Sequence, residues 1–139
     1  MKELEARAGE ALRQLLARIP IIEIKDIEHE LASVQGKPDL IAHIHADGRP
    51  YLLICEFQSN GQLRHARTAL LELRDYVARL GPEAAPIFMA PYISPAVRRL
   101  CQEKNVGYLD LEGNARITFG GVFIERMVAV DKSKFVCKF

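Results

Sequence analysis

Residues 37–58 read KPDLIAHIHADGRPYLLICEFQ, and this stretch decides the predicted fold. Its two β-rich halves flank Asp47-Gly48, a strong signal for a tight hairpin turn. A two-residue loop would place Asp39 opposite Glu56, whereas a four-residue loop would place Asp39 opposite Gln58. In both registers these three side chains lie on one face, because side chains alternate along a strand. Two carboxylates held within roughly 5 Å repel each other unless a cation lies between them, and a hard divalent cation is the obvious candidate.

The composition is that of an ordinary globular protein. The 139 residues are 49% hydrophobic and 27% charged, with a net charge of +1 and a pI of about 7.8. This length and composition predict a single domain over residues 1–139. The near-neutral charge gives no bulk signal for nucleic acid but allows local basic patches. Neither a signal peptide nor an apolar run of membrane-spanning length is visible, so we expect a cytoplasmic protein without a membrane contact.

The three cysteines show no spacing typical of a metal site. Their number is odd, and Cys55 and Cys101 lie within apolar runs, while Cys137 lies near the C-terminus. Free cysteine is usually buried, so we expect reduced internal thiols, which agrees with a cytoplasmic location.

Helices and strands alternate along the rest of the chain. Apolar residues at three- and four-residue spacing predict helices over residues 2–19 and 62–80, and Ser94-Pro95 predicts the start of a third helix. Strand patterns flank the helices: one long strand or two short ones over residues 21–34, single strands over 85–90 and 108–111, and a closing hairpin over 117–124 that turns at Gly120-Gly121. This order predicts the α/β class, with a central antiparallel hairpin in one mixed sheet and helices on both sides.

An Asp on the first hairpin strand and Glu-x-Lys/Gln on the second resemble the core of the PD-(D/E)XK nuclease superfamily. The match covers roughly residues 1–92 and is carried by Pro38-Asp39 and Glu56-Phe57-Gln58. The resemblance implies a restriction-endonuclease-like fold in which Asp39, Glu56 and the Phe57 carbonyl bind Mg²⁺ or Mn²⁺. It also implies that Gln58 orients or helps to activate the water that attacks a DNA phosphodiester.

An acidic residue of the first helix often completes sites of this superfamily. Glu3, Glu5 and Glu10 are available in the predicted helix. Glu10 is our choice as a fourth catalytic residue, because it lies one residue before the inward apolar stripe.

Gln58 departs from the usual pattern, because most members of the superfamily have Lys at this position. Gln carries no charge, so it could only hydrogen-bond the water. Two functions therefore stay open. One is a metal-dependent nuclease, and the other is a catalytically inactive nuclease fold that serves as a DNA- or protein-binding regulatory module.

Basic side chains near Gln58 are candidates for binding DNA phosphate. Arg64 and Arg67 lie early in the helix that follows Gln58, and Lys37 lies beside Asp39. Guanidinium groups suit phosphate oxygens, so we assign phosphate binding to these three residues. Arg74 is more simply explained as part of a solvated helix face.

His43 and His45 alternate onto the face that carries Asp39. A His-x-His transition-metal site is conceivable there. They lie well along the hairpin from Asp39, however, and half-buried histidines near the turn are the preferred interpretation.

The second half of the chain has its own resemblance. Tyr92-Ile93-Ser94-Pro95, followed by Gly107-Tyr108-Leu109-Asp110-Leu111 and Gly113-Asn114-Ala115, is similar to a segment of uncharacterised prokaryotic proteins. Those proteins join a nuclease-like domain to a winged-helix domain, and some are described as antitoxins of abortive-infection systems. The resemblance implies a winged-helix module or a toxin as partners in related proteins. The alternative for Gly113-Asn114 is a well-capped structural turn.

The apolar C-terminal residues 134–139 suggest a further kind of partner. They read KFVCKF, and two aromatic side chains at a terminus often contact another surface. A homodimer formed through this segment is therefore a third hypothesis.

Overall fold

A computed structural model describes residues 2–29, 38–59 and 63–128 of the chain. Within these ranges the chain forms three helices and seven strands. The helices are α1 (Lys2–Ala17), α2 (Leu63–Leu80) and α3 (Pro95–Glu103). The strands are β1 (Ile22–His29), β2 (Leu40–Ala46), β3 (Arg49–Phe57), β4 (Ala84–Ala90), β5 (Gly107–Asp110), β6 (Ala115–Phe119) and β7 (Val122–Arg126).

The seven strands form one mixed sheet in the order β1-β2-β3-β4-β5-β6-β7. Strands β3, β4 and β5 are parallel, and the remaining neighbours are antiparallel. The parallel pairs are joined by α2 and α3, as expected for strand–helix–strand units. The predicted fold class is confirmed: the protein is α/β, and its mixed sheet contains the β2–β3 hairpin between β1 and β4.

Helices cover both faces of this sheet. The face that we call the α1 face packs against Leu12 and Leu16 of α1, which are fully buried. The opposite face, the α2/α3 face, packs against Leu70 of α2 and Val97 of α3. The central strands are therefore buried on both sides, which explains why residues 52–55 and 87–90 are apolar without alternation.

The turn between β2 and β3 decides between the two registers that the sequence left open. Asp47 and Gly48 both have positive φ, at 52° and 79°, and Ala46 pairs with Arg49. This is the geometry of a two-residue hairpin loop, for which an Asp-Gly pair is well suited. Leu40 consequently pairs with Cys55.

Two further predictions concern the third helix and the cysteines. The Val97 amide donates to Ser94 Oγ at 3.3 Å and Pro95 begins α3, so the predicted cap is confirmed. Cys55 and Cys101 are buried free thiols, and burial raises the pKa of Cys101 to about 12.

Several sequence-based expectations fall on residues 30–37, 60–62 and 129–139. Lys37, Cys137 and the aromatic tail are among them, and all lie outside the described residues. In the ranges that are described, no helix is both long and apolar enough to cross a membrane.

Candidate functional site

The candidate site lies where the parallel strands β3, β4 and β5 end, which we call the carboxyl edge of the sheet. Because β2 runs antiparallel to β3, its first residues lie at this same edge. The β2–β3 pairing ends at Leu40 and Cys55, so Asp39, which directly precedes β2, lies beside the last residues of β3. Carboxyl edges of parallel strands are common positions for binding sites, since side chains from several strands meet there.

Asp39 is held in place by the backbone of β3. Its Oδ2 accepts a hydrogen bond from the Phe57 amide at 2.7 Å, and its own amide donates to the Cys55 carbonyl at 3.1 Å. Burial raises the pKa of Asp39, the Phe57 amide partly opposes this effect, and the charge of Glu5 adds to it. The carboxylate is therefore fixed in orientation but electrostatically unfavourable when ionised.

Glu56 is more strongly perturbed than Asp39. Burial raises its pKa to about 8, and the negative charges of Asp39 and Glu72 add to this effect. The Gln58 side chain opposes it, because its Nε2 donates to Glu56 Oε1 at 3.4 Å. In the described part of the chain, no Lys, Arg or His side chain forms an ion pair with Asp39 or Glu56.

The donor set of this edge fits a hard divalent cation. Asp39 and Glu56 supply two neighbouring carboxylates, because the charge of Asp39 raises the pKa of Glu56. Mg²⁺ prefers a few carboxylates and retains several waters. Within residues 2–29, 38–59 and 63–128, no group of three or more His, Cys, Asp or Glu side chains converges as a metal cluster. The site is thus a carboxylate pair, and backbone or water oxygens would complete the coordination.

The first helix contributes a different acid from the one favoured by the sequence. Glu10 is exposed, and its Oε1 accepts from Gln14 Nε2 at 3.4 Å. Glu5, in contrast, is close enough for its charge to raise the pKa of both Asp39 and Glu56. A helical stripe defines the inward face but not which turn reaches the sheet edge, so the periodicity could not distinguish these acids.

The second helix brings an acid rather than an arginine toward Glu56. Glu72 is the α2 side chain whose charge raises the pKa of Glu56. Arg67 instead lines a groove of about 340 Å³ between α2 and α3, together with Arg74. Arg64 is exposed in the first turn of α2. Phosphate binding by Arg64 and Arg67 stays a prediction, as does that by Lys37.

The hairpin histidines lie near the turn, as the preferred interpretation expected. His43 Nε2 lies 2.6 Å from Glu28 Oε2 on the neighbouring strand β1. His43 is thus partnered by a carboxylate, and no described residue gives it the further ligands of a transition-metal site.

The Asp110 and Asn114 side chains build a buried hydrogen-bond network, which favours the structural-turn interpretation. Asp110 is 1% exposed, and its carboxylate accepts from the Asn114 amide at 2.9 Å, Asn114 Nδ2 at 3.0 Å and the Ile93 amide at 3.2 Å. Asn114 Oδ1 accepts from the Val128 amide at 3.0 Å. The motif therefore ties the β5–β6 turn to the loop after β4 and to the segment after β7.

No protein-family model and no curated protein matches this sequence. Among solved structures, EndoMS in its apo form is similar at 14% identity and a TM-score of 0.42, over 73% of this chain and 44% of that chain. A repair endonuclease from Pyrococcus abyssi is similar at 16% identity and a TM-score of 0.46, over 73% and 46%. An EndoMS–dsDNA complex gives 18% identity and a TM-score of 0.43, over 72% and 42%.

The chain thus spans less than half the length of these solved structures.

Proposed function

We propose that this chain is a metal-dependent nuclease-like domain that acts on DNA phosphodiesters, with Mg²⁺ or Mn²⁺ held by Asp39 and Glu56. One observation carries the proposal. The Asp39 and Glu56 carboxylates lie close enough for the charge of Asp39 to raise the pKa of Glu56, and burial raises the pKa of both. A divalent cation bound by both carboxylates offsets the repulsion between their charges and stabilises the ionised form of each.

The chemistry of phosphodiester hydrolysis suits this set of residues. A bound divalent cation neutralises phosphoryl charge and lowers the pKa of a coordinated water. Asp39 is oriented for binding by the Phe57 amide, and the Phe57 carbonyl is a third candidate oxygen. The Gln58 side chain donates a hydrogen bond from Nε2 to Glu56. Its Oε1 is then left to accept a hydrogen bond from the attacking water and orient it.

A second candidate function is a nuclease fold without catalysis that binds DNA or a protein. The observation that favours it is the absence of a cationic side chain paired with Glu56 in the described residues. Gln58 stands where a lysine is usual in the resembling superfamily, and the nearby α2 residue is the acid Glu72. Without such a cation, hydroxide at the site is less well stabilised.

Calorimetric titration with Mn²⁺ tests whether Asp39 and Glu56 bind a divalent cation. Asp39→Asn retains an oxygen to accept from the Phe57 amide but removes the charge, so we expect its Mn²⁺ binding to be lost. Asp47→Asn is the matched control, because Asp47 lies exposed at the other end of the same hairpin. Indistinguishable titrations of Asp39→Asn and wild type would exclude the site.

Incubation with plasmid DNA, single-stranded DNA and RNA in Mn²⁺ then separates the two functions. A nuclease cleaves DNA, and both Asp39→Asn and Glu56→Gln abolish the cleavage. A module without catalysis leaves every substrate intact although the protein binds Mn²⁺ or DNA.

A further inference from the structure

The loop after β4 presents an exposed aromatic ring at the carboxyl edge of the sheet. Glu56 pairs with Phe88 in the parallel register, and the backbone amide of Gln58 donates to the Met89 carbonyl at 2.8 Å. Tyr92 follows four residues after Phe88, so its backbone lies at most about 13 Å beyond the level of Glu56. The ring is thus within a few nucleotides' reach of the candidate cation site.

The backbone on both sides of Tyr92 is fixed by hydrogen bonds. The Pro91 carbonyl accepts from the Leu111 amide at 3.2 Å, and the Ile93 amide donates to Asp110 Oδ2 at 3.2 Å. The Ile93 side chain is fully buried, whereas Tyr92 is 51% exposed. The hydrogen bonds to Leu111 and Asp110 therefore fix the backbone on both sides of Tyr92, while the Tyr92 side chain remains exposed.

Arg98 covers one side of the tyrosine ring. Its Cζ lies 5.7 Å from the Tyr92 ring centroid, and its Nε donates to the Ile93 carbonyl at 2.8 Å. This cation–π contact orients the ring, while half of the residue's surface remains open to solvent. An aromatic ring with one face supported by a guanidinium group and with open surface is suited to stacking on another flat group.

We propose that Tyr92 is a stacking platform for a base of an unpaired nucleic-acid strand bound along the carboxyl edge. The proposal rests on the proposed function, because it requires nucleic acid at this edge. Bases inside a duplex already stack on both faces, so an inserted tyrosine ring selects an unpaired base. Arg99, which is exposed on α3 next to Arg98, supplies a charge for the adjoining phosphates.

Anisotropy titrations of the full chain with two labelled strands test the platform. One strand is a short oligothymidylate, and the other has the same length and phosphates but abasic sites at its centre. Both are titrated in EDTA, so that cleavage does not obscure binding. Tyr92→Leu removes the aromatic ring and keeps apolar bulk, while Tyr92→Phe is the matched control that retains stacking.

We expect wild type and Tyr92→Phe to bind the base-containing strand on the order of 10-fold more tightly than the abasic strand. Tyr92→Leu is expected to lose most of this preference and to bind the abasic strand like wild type. A preference unchanged in Tyr92→Leu, or equal wild-type binding of both strands, overturns the platform and leaves the nuclease proposal standing. Equal binding would mean that the protein contacts the phosphates and not the bases. Failure of wild type to bind either strand also overturns the platform, whereas the nuclease proposal is decided by the cleavage assay in Mn²⁺, an ion that EDTA removes from this titration.

Discussion

Replacing Glu56 by Gln removes a carboxylate whose ionised form is disfavoured by burial and by the charge of Asp39. We expect the resulting change in the free energy of unfolding to increase with pH. Burial and the charge of Asp39 raise the pKa of Glu56 in the folded protein to about 8, from an ordinary value of 4.5. Between these two values the folded state binds more protons than the unfolded state, so wild-type stability falls as pH rises. Glu56→Gln carries no such proton and lacks this part of the pH dependence.

The size of the effect follows from the pKa difference. A shift from 4.5 to about 8 corresponds to an upper limit of roughly 5 kcal/mol, at about 1.4 kcal/mol per pH unit. Because Glu56 is only partly buried, solvent screening reduces this to about 1–3 kcal/mol. We therefore expect Glu56→Gln to gain about 1–3 kcal/mol over wild type when the pH is raised from about 5 to about 8.5.

Urea denaturation in EDTA at the two pH values measures this gain. Glu83→Gln is the matched control, since Glu83 is exposed just before β4, and its difference from wild type should be the same at both pH values. Saturating Mn²⁺ should reverse the order at high pH, because a ligand of the folded state stabilises only the protein that binds it. Parallel pH profiles for Glu56→Gln and wild type would refute the reasoning.

Three other perturbations have defined outcomes. Mn²⁺ binding near neutral pH should release protons as Glu56 ionises, and calorimetry in two buffers of different ionisation enthalpy detects this; a buffer-independent heat would contradict it. Asp110→Ala should lower the free energy of unfolding by about 2–4 kcal/mol, because three buried donors lose their acceptor, and a change below about 1 kcal/mol in urea denaturation would contradict the network. Gly120→Ala should lower the free energy of unfolding by about 1–3 kcal/mol in the same assay, because φ is 52° and the added Cβ would overlap the Tyr51 hydroxyl. Gly121→Ala is the control and should lower it less, because a Cβ there meets nothing within 4 Å.

The fold was predictable where local signals are strong. Alternation, the Asp47-Gly48 turn and the Ser94-Pro95 start determine the hairpin and α3, and the apolar run at residues 85–90 indicates a buried parallel strand. The choice between the two hairpin registers was not determined, because both keep the same residues on one face. The positive φ angles of Asp47 and Gly48 settle it.

The candidate site was predictable only in its sequence-local part. Asp39 and Glu56 lie on one hairpin, so counting residues suffices to bring them together. Glu5 and Glu72 approach through the packing of α1 and α2 on opposite faces of the sheet, and helical periodicity does not define where along the helix a contact occurs. This is why Glu10 was preferred on α1.

The proposed function depends most directly on a cation between Asp39 and Glu56. A crystal of the full chain soaked in Mn²⁺ and measured near the manganese absorption edge locates the ion by its anomalous signal. We expect one peak in contact with a carboxylate oxygen of each residue, and we expect this peak to be absent from crystals of Asp39→Asn. A peak elsewhere only, or none between Asp39 and Glu56 at saturating Mn²⁺, would contradict it.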